Sequence, residues 1–232
     1  MDIAGRTALV TGANRGFGRH LAEQLRDRGA AVYAGARNPA SVDLPGVTPI
    51  ALDVTDPASV AAAAAAARDV SILVNNAGSA TGASLLTGDL ASIRLEMDTH
   101  FYGTLAVTRA FAPQLAAYEQ SAVLNVLSVL SWLSVPDIGA YCAAKAAEWS
   151  LTSALRLELA AQGTRVSALH IGYMDTEMTR RLDVPKSDPA DIARLALNGL
   201  EAGDAEIIAD EITKRVLAGL SAGVAGLYPQ VA

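Results

Sequence analysis

Tyr141 and Lys145 are the two residues whose types and spacing most directly indicate chemistry. They lie four positions apart in the segment YCAAK, so a helix would place both side chains on one face, one turn apart. A tyrosine hydroxyl has a reference pKa of about 10 and is a poor acid–base group at neutral pH unless a neighbouring cation stabilises its phenolate. A lysine ammonium at i+4 would supply that cation. The alternative is an ordinary, partly buried tyrosine beside a surface lysine.

Ser128 is a candidate partner for this pair. It follows the apolar run Ala122–Leu127 and lies thirteen residues before Tyr141. Such a run predicts a buried strand, and a doubly wound sheet exposes its functional groups at strand ends. A serine hydroxyl there can donate a hydrogen bond to a substrate oxygen as charge develops on it. Ser131 and Ser134 are competing candidates, and any of the three could instead be a turn residue.

The segment TALVTGANRGFG, from Thr7 to Gly18, has the pattern of a strand that ends in glycines and then opens a helix. The free N–H groups and positive dipole end of such a helix favour a pyrophosphate, and glycines let the backbone approach it closely. The glycine spacing differs from the G-x-G-x-x-G pattern of two-domain dehydrogenases. The segment predicts a nucleotide site, with a plain tight turn as the alternative. The expected contacts are Gly12, Asn14, Arg15, Gly16, Phe17 and Gly18.

The end of the second predicted strand bears on the choice of nucleotide. A carboxylate there would accept from the ribose 2′-hydroxyl of NAD, whereas a cation suits the 2′-phosphate of NADP. The strand Ala31–Tyr33 leads to Arg37 without a carboxylate, and Arg15 in the glycine loop is a second guanidinium. Two guanidiniums can clamp a phosphate. We therefore expect NADP(H) to be preferred over NAD(H), unless both arginines are simply solvated surface residues.

Two further strand ends offer groups to a bound nucleotide. Asp53 and Val54 follow the third predicted strand, where the carboxylate could accept from an adenine amino group or cap the next helix. The fourth strand ends in Asn75-Asn-Ala-Gly78, whose amides can tie neighbouring loops and whose small residues leave room for a flat ligand. The expected contacts are Asp53, Val54, Asn75, Ala77 and Gly78.

An alternation of strands and helices must position these groups. Strands are predicted at Thr7–Val10, Ala31–Tyr33, Thr48–Ala51, Ile72–Val74, Ala122–Leu127, Arg165–His170 and Glu206–Ala209. Helices are predicted at Phe17–Arg28, Ala91–Tyr118 and Ala140–Ala161. This alternation predicts an α/β fold: one Rossmann-type domain over residues 1–232, with a doubly wound parallel sheet of about seven strands and helices on both faces. The tail Leu217–Ala232 could be a last strand or a partner-contacting arm.

Composition and charge narrow the class of ligand. The 232 residues are 51% hydrophobic, enough for a large core without disulfides or a structural metal. A net charge of -6 argues against a nucleic-acid partner. The single cysteine, Cys142, and the lack of a Cys/His cluster predict neither a disulfide nor a metal site. With no signal peptide or bilayer-spanning run, we expect a small-molecule ligand, no membrane contact and a cytoplasmic location.

Six short motifs follow one another along the chain. They are TGANRGFG from Thr11, Asp53-Val54, NNAG from Asn75, Ser128, YCAAK from Tyr141, and a segment from Gly172 to Thr176 after the sixth strand. Each is modest alone, but in this order and spacing they are specific. By these motifs the chain resembles the short-chain dehydrogenase/reductase family over nearly its whole length.

The resemblance implies a reaction and a role for each group. A hydride would move between NADPH and a carbonyl carbon, or back from the alcohol. Tyr141 would give the proton in reduction and take it in oxidation, while Ser128 positions the substrate oxygen. Lys145 would lower the tyrosine pKa and bind the nicotinamide ribose hydroxyls. The resemblance also implies a homodimer or homotetramer formed through the two long helices.

Two positions depart from the family pattern. His100 stands three residues before Gly103, where many relatives have an asparagine that supports a water linked to the lysine. A histidine can donate, accept and titrate, so a modified proton relay and a structural substitution are both open. Ile171 stands before Gly172 where relatives commonly have proline, so the backbone there loses a fixed φ. The resemblance places Ile171, Gly172 and Thr176 beside the nicotinamide.

The residues expected at the nicotinamide end are mainly apolar. They are Ser79, Trp132, Leu133, Tyr173, Met174 and Met178. An apolar, partly aromatic pocket favours a lipophilic ketone, aldehyde or alcohol, and the short flap between Thr176 and Lys186 favours broad specificity. The alternatives are an imine reductase, lyase or epimerase on the same scaffold, and a regulator that binds NADPH without turnover.

Overall fold

A computed structural model describes residues 1–230, which are organised around a parallel sheet of seven strands. The strands are β1 Thr7–Thr11, β2 Ala31–Ala36, β3 Thr48–Ala51, β4 Ile72–Asn75, β5 Ser121–Val126, β6 Thr164–His170 and β7 Glu206–Ile208. Their spatial order is β3-β2-β1-β4-β5-β6-β7, and every neighbouring pair is parallel. The predicted doubly wound sheet is confirmed, with β2 three residues longer than its sequence pattern indicated.

Helices cover both faces of this sheet. They are α1 Gly16–Asp27, α2 Pro57–Ala66, α3 Leu90–Met97, α4 Thr104–Leu115, α5 Gly139–Ala160, α6 Pro189–Ala202, α7 Glu211–Gly219 and α8 Gly223–Leu227. An aspartate side chain caps the N-terminus of α2, α3, α6 and α7, where it accepts from free backbone N–H groups. These caps fix where the helices begin.

Alternation along the strands divides the apolar side chains between two cores. In β1, Ala8 and Val10 belong to one core and Leu9 to the other. The first core includes Leu21 of α1, and the second includes Phe111 of α4. A strand with period-two side chains and a helix layer on each face buries every residue, which explains why these strands read as continuous apolar runs.

The helix predicted over Ala91–Tyr118 is interrupted and ends earlier than expected. It begins at Leu90 and ends at Leu115, and the residues Asp98–Gly103 between α3 and α4 form a π-helical segment. A π-helical turn holds an extra residue and occurs frequently at functional sites. His100 lies within this segment and is 1% exposed.

The C-terminal segment is helical as far as the structure describes it. It comprises α7, a 3-10 turn at Leu220–Ala222 and α8. The strand considered for this tail is therefore wrong for its residues up to 230. The Tyr228 hydroxyl accepts a hydrogen bond from the Ser134 N–H at 2.7 Å, so the segment folds back against its own chain. Residues 231 and 232 lie outside the described part.

Residues 1–230 lack two kinds of feature. No helix in this range has the length and apolar character needed to cross a membrane. Nor does the range contain a group of three or more His, Cys, Asp and Glu side chains arranged to hold a metal ion. Cys142 is a buried free thiol within α5.

Candidate active site

The loop between β1 and α1 is held open by glycines and by the end of β4. Gly12 and Gly16 have φ angles of 67° and 54°, in the left-handed region that favours glycine. The Thr11 hydroxyl accepts from the N–H groups of Asn76 and Ala77, each at 2.9 Å, and the Asn76 amide donates to the Thr11 carbonyl at 2.9 Å. These bonds fix the glycine loop against the neighbouring strand.

The start of α1 is shaped for a phosphate group. A Cβ on Gly18 would collide with the Gly12 carbonyl oxygen and the Asn76 amide, so only glycine allows this close packing. Arg15, at the N-cap position, makes no side-chain cap, and the first turn has no acidic residue. The N–H groups of that turn remain available to an anion, in contrast to the four aspartate-capped helices. These residues fit the pyrophosphate of a dinucleotide.

Two of the predicted loop contacts point elsewhere in the protein. Phe17 is buried in the first core, so it has only backbone groups to offer a ligand. The Asn14 amide donates to the Ser41 hydroxyl at 3.1 Å. That bond ties the glycine loop to the turn that follows β2.

The two arginines expected to select NADP lie on adjacent segments. Arg37 is exposed at the end of β2, and the Ala13 N–H donates to the Gly35 carbonyl at 2.9 Å, which joins the glycine loop to β2. Arg15 forms an exposed ion pair with Glu177 at 2.6 Å. Glu177 begins a short turn in the predicted flap, so the loop and the flap are in contact.

The adenine-side candidates have local partners. Oδ1 of Asp53 accepts from the N–H and hydroxyl of Thr55 at 3.0 and 2.8 Å, while Asp56 caps α2. The Asn75 amide is buried and donates to Asn125 at 2.9 Å and to Thr108 at 3.1 Å. The Asn75 side chain therefore ties β4 to β5 and α4.

Val54, Ala77 and Gly78 lie close to the polar centre of the site. Val54 packs against Gly103, where a Cβ would approach the Val54 Cγ2 to 2.9 Å. A Cβ on Gly78 would approach the His100 Cε1 to 2.9 Å. Glycine at positions 78 and 103 is required by close packing around the π-helical segment, whereas Ala77 lies against Gly12 of the glycine loop.

Ser128, Tyr141 and Lys145 are brought together as predicted. Ser128 follows the carboxyl end of β5, and its hydroxyl accepts from the Leu130 N–H at 3.1 Å. The Ser128 hydroxyl lies close enough to the Tyr141 hydroxyl to lower the pKa of that tyrosine. The Lys145 Nζ lies 5.9 Å from the centroid of the Tyr141 ring, one turn along α5. The three groups form one polar cluster at the carboxyl end of β5.

The competing serines have other contacts. The Ser131 hydroxyl accepts from the Ser128 N–H at 3.4 Å and thereby helps to close the turn over Val129–Ser131. Ser134 is exposed, and its N–H donates to Tyr228. Of the three serines, Ser128 is the one whose side chain reaches Tyr141.

Tyr141 has a pKa raised above its ordinary value of 10.0. Burial is the largest cause, because it disfavours the charged phenolate. The Lys145 charge and the Ser128 hydroxyl lower the pKa, and the Glu148 carboxylate raises it. The expected lowering by Lys145 is present as a contribution, but in the protein alone burial and the nearby carboxylate outweigh it.

Lys145 is fully engaged on its protein side. Its Nζ donates to the Glu148 Oε2 at 2.7 Å and to the Val126 carbonyl at 2.8 Å. Burial alone would lower the Lys145 pKa, but Glu148, Tyr141 and Glu96 together outweigh it and the net direction is upward. The Thr104 hydroxyl donates to the other Glu148 oxygen at 3.0 Å. Lys145 is therefore a protonated ammonium held in a fixed position.

His100 lies between two buried carboxylates. Its Nε2 is 3.3 Å from the Glu96 Oε2, and its Nδ1 is 3.8 Å from the Glu148 Oε2. Nε2 is also 3.0 Å from the Ser79 carbonyl oxygen. The ring meets Tyr141 edge to face, with centroids 5.2 Å apart. The histidine is thus part of the cluster around Tyr141.

Glu96 and Glu148 are absent from the sequence-based candidates. The available signals were weak: Glu96 lies four residues before His100, and Glu148 lies three residues after Lys145. Both spacings put the side chains on one helix face, but acidic residues at such spacing usually form solvated ion pairs. Their burial, 0% and 2% exposed, is a property of the tertiary structure.

Three of the six predicted pocket side chains are held by protein contacts. The Ser79 hydroxyl donates to Glu96 at 2.7 Å. Trp132 stacks on His170, with ring centroids 4.0 Å apart, and Met174 packs against the first core. Leu133 and Tyr173 are partly exposed, and Met178 is well exposed.

Apolar side chains that the sequence analysis omitted lie beside the site. Leu85 packs against Gly139, at the start of α5, with its Cγ 2.9 Å from the position of a Cβ on that glycine. Ile212 makes the same close approach to Gly172. Leu85 and Ile212 are both more than one-third exposed. They therefore present apolar surface near both ends of the cluster.

The expected nicotinamide-side residues form the end of β6 and the flap that follows. Ile171 is buried, and its carbonyl accepts from the Val129 N–H at 2.9 Å. The Gly172 N–H donates to the Asp210 Oδ2 at 2.8 Å. Thr176 begins the short turn that contains Glu177. Asp210, which also caps α7, thus links the end of β6 to the C-terminal helices.

The chain is similar in sequence to known proteins. A sequence profile described as short chain dehydrogenase matches residues 6–186. D-erythrulose reductase from Gallus gallus is 32% identical over 224 residues, covering 94% of this chain and 89% of the relative. A 3-oxoacyl-(acyl-carrier-protein) reductase from Vibrio cholerae is 32% identical over 200 residues, covering 79% of each.

Solved structures agree with the fold. A short chain dehydrogenase from Burkholderia cenocepacia in complex with NADP has a TM-score of 0.94 and 36% identity, covering 100% of this chain and 99% of that one. A short chain dehydrogenase/reductase from Burkholderia phymatum in complex with NAD, at 24% identity and TM-score 0.86, covers 97% of this chain and 95% of that one. The second likeness concerns the fold alone.

The chain therefore belongs to the short-chain dehydrogenase/reductase family. It is an oxidoreductase that acts on CH–OH or C=O groups with a nicotinamide cofactor. The cluster of Ser128, Tyr141 and Lys145 and the glycine loop are its candidate active site.

The ionisation of Glu96 should make the stability of the protein depend on pH in the acid range. Burial would raise the Glu96 pKa, but hydrogen bonds from His100, Ser79 and Thr81 outweigh it and lower the pKa from 4.5 to about 2. The carboxylate therefore adds stability above pH 4.5, and this stability is lost as the pH falls toward about 2. We expect Glu96→Gln to lower the free energy of unfolding at pH 7 by on the order of 3 kcal/mol.

Denaturant unfolding at a series of pH values measures this effect. The difference between wild type and Glu96→Gln should shrink as the pH falls below 4.5. Glu158→Gln, an exposed position on α5, is the matched control and should follow the wild-type curve. Parallel curves for wild type and Glu96→Gln would show that the carboxylate does not hold this role.

Proposed function

We propose that the protein reduces a lipophilic ketone or aldehyde with NADPH, or oxidises the corresponding alcohol, with Tyr141 as the general acid and base. The observation that carries the proposal is the convergence of Ser128, Tyr141 and Lys145 at the carboxyl end of β5. This is where a doubly wound sheet binds its ligand.

The cluster supports a division of roles. The neighbouring Ser128 and Tyr141 hydroxyls would both donate to one substrate oxygen and stabilise the charge that develops on it. Tyr141 then gives its proton to that oxygen in reduction and takes it back in oxidation. Lys145 has donated two of its hydrogens to the protein, which leaves one for a ribose hydroxyl. NADPH, when bound, supplies the hydride.

The preference for NADPH is supported by charge at the adenosine end. Arg15 and Arg37 flank the junction between the glycine loop and β2, and the segment from Ala31 to Arg37 has no carboxylate to accept from a ribose 2′-hydroxyl. The neighbour from Burkholderia cenocepacia is in complex with NADP. Arg15 would exchange its surface partner Glu177 for the 2′-phosphate, at small cost because exposed ion pairs are weak.

A lipophilic substrate is supported by the side chains around the cluster. Leu85, Ile212 and Met178 are 55%, 45% and 54% exposed near the ends of α5 and β6 and in the flap. Exposed apolar side chains that border a catalytic cluster favour an apolar ligand. The polar Ser79 hydroxyl in the same region is already committed to Glu96.

We also propose a homodimer or homotetramer in the cytoplasm. The faces of α3, the π-helical segment and α5 present Leu95, Tyr102 and Leu157, which are 44%, 56% and 79% exposed. Large apolar side chains on neighbouring helices are typical of a subunit interface. The buried free thiol of Cys142 suits a reducing compartment.

Replacement of the proposed proton donor tests the mechanism. Tyr141→Phe removes the hydroxyl and keeps the ring, so we expect kcat/KM for carbonyl reduction to fall by about 10²–10⁴-fold. The assay follows NADPH oxidation by absorbance. Tyr118→Phe, whose hydroxyl bonds to the Asp69 carbonyl away from the cluster, should keep wild-type activity. Retention of most activity by Tyr141→Phe would remove Tyr141 as the donor.

Replacement of the two arginines tests the cofactor preference. We expect Arg15→Ala and Arg37→Ala each to raise the KM for NADPH by roughly 10-fold or more, because a charge-assisted contact to phosphate is lost. The KM for NADH should stay the same, since NADH lacks the 2′-phosphate. Arg68→Ala is the surface control. A wild-type enzyme that prefers NADH, or equal effects on both cofactors, would contradict the assignment.

A homologous series of ketones tests the substrate class. Each added methylene that enters an apolar pocket contributes about 0.8 kcal/mol, so kcat/KM should rise about fourfold per methylene until the pocket is filled. Polyhydroxylated ketones of equal length should be poorer substrates. A preference for the hydroxylated compounds, or activity confined to one metabolite, would contradict a lipophilic substrate of broad range.

A further inference from the structure

We propose that Glu148 is a positioning residue, which fixes the Lys145 ammonium and, together with His100 and Glu96, keeps Tyr141 in its proton-donating form. This inference rests on the proposed role of Tyr141. It assigns the site a bias toward carbonyl reduction, because reduction requires the protonated tyrosine and oxidation requires the phenolate.

The contacts form one continuous buried chain. The Lys145 Nζ donates to the Glu148 Oε2 at 2.7 Å, and that oxygen is 3.8 Å from the His100 Nδ1. The His100 Nε2 is 3.3 Å from the Glu96 Oε2. The side chains of Glu96, His100, Glu148 and Lys145 are at most 6% exposed. Interactions among buried charges are screened far less than those at the surface.

The geometry of Glu148 fits a positioning role. Thr104 donates to one of its oxygens at 3.0 Å, and Lys145 donates to the other at 2.7 Å. The carboxylate is thereby held from α4 as well as from its own helix. Lys145 is held in turn by the Val126 carbonyl on β5. Its third hydrogen is consequently directed by protein contacts on two sides.

The cluster is rich in carboxylates. The titratable groups that face Tyr141 and His100 are Glu96 from α3 and Lys145 and Glu148 from α5, while the glycine-rich segment after β4 contributes the Ser79 carbonyl and hydroxyl. Two carboxylates oppose one ammonium. A further negative charge on a Tyr141 phenolate is disfavoured beside them, and both carboxylates raise the Tyr141 pKa.

His100 completes the arrangement. Its Nδ1 is buried and makes no hydrogen bond within residues 1–230, yet it lies 3.8 Å from the Glu148 Oε2. Glu96 and the Ser79 carbonyl hold the opposite side of the ring. The imidazole thus separates the two carboxylates and keeps both near Tyr141.

Removal of the Glu148 charge gives a direct test. Glu148→Gln keeps the shape and one acceptor oxygen, and Glu148→Asp keeps the charge. We expect ionisation of Tyr141 to move to lower pH in Glu148→Gln, with a roughly threefold or larger ionised fraction one pH unit below the wild-type midpoint. The pH profile of kcat/KM for alcohol oxidation has a limb that rises as Tyr141 ionises, and this rising limb should also move to lower pH. Glu148→Asp should keep the wild-type limb.

Ionisation is read without turnover from the ultraviolet difference between each protein and the same protein carrying Tyr141→Phe. This measurement separates the inference from the proposed function. A fully active Tyr141→Phe would contradict Tyr141 as the general acid and base. An unchanged Tyr141 titration in Glu148→Gln would overturn only the role of Glu148. Movement to higher pH would overturn it as well. If Glu148 had only a structural role, its replacement would lower activity at every pH and leave the rising limb of the kcat/KM profile at the same pH.

A second variant covers the case in which Glu148→Gln does not fold cooperatively in a thermal melt. Glu96→Gln removes the other carboxylate, which also raises the Tyr141 pKa but by less than Glu148 does. Its Tyr141 titration should move to lower pH by less than that of Glu148→Gln. Glu158→Gln on the exposed face of α5 should leave the titration unchanged. An unmoved titration in a folded Glu96→Gln would overturn the carboxylate effect.

Discussion

The candidate active site depends on the buried ion pair between Lys145 and Glu148. An ammonium taken out of water is costly unless it is paired and its remaining hydrogens are satisfied. Glu148 and the Val126 carbonyl meet that requirement at 2.7 and 2.8 Å. Because Val126 belongs to β5, its bond to Lys145 also joins α5 to the sheet. Tyr141, one turn earlier on the same helix, is brought to Ser128 as a consequence.

Much of the fold could be predicted from local patterns. The strands were recognisable because apolar residues buried on both faces form continuous runs, and the motif residues Ser128, Tyr141 and Lys145 were recognisable from their order and spacing. The roles of Glu96 and Glu148 could not be predicted, since their partners come from other elements and burial decides whether a carboxylate is a solvated surface group. The same holds for the net direction of the Tyr141 pKa, which burial determines.

Other departures have similar causes. The segment Ala91–Tyr118 before β5 was predicted as one helix with an interior weakened by Gly103 and Pro113. Packing of Gly103 against Val54 and of His100 between two carboxylates accompanies a wide turn that the apolar spacing does not indicate. Asn75 was expected at the cofactor, and its amide is engaged behind the site by Asn125 and Thr108. An asparagine presents donors and an acceptor in any direction, so its partners follow from the tertiary structure.

The π-helical segment Asp98–Gly103 also constrains how this helix can change. Each residue of an α-helix turns the chain by about 100°, so the extra residue in the wide turn sets the rotational phase between α3 and α4. Loss of one residue there would restore a regular helix and swing the apolar stripe of α4, including Phe111, away from the second core. Glu96 could then no longer keep its contact with His100 while Thr104 keeps its bond to Glu148. An insertion or deletion in the segment would therefore rotate α4 relative to α3 and displace the groups around Tyr141.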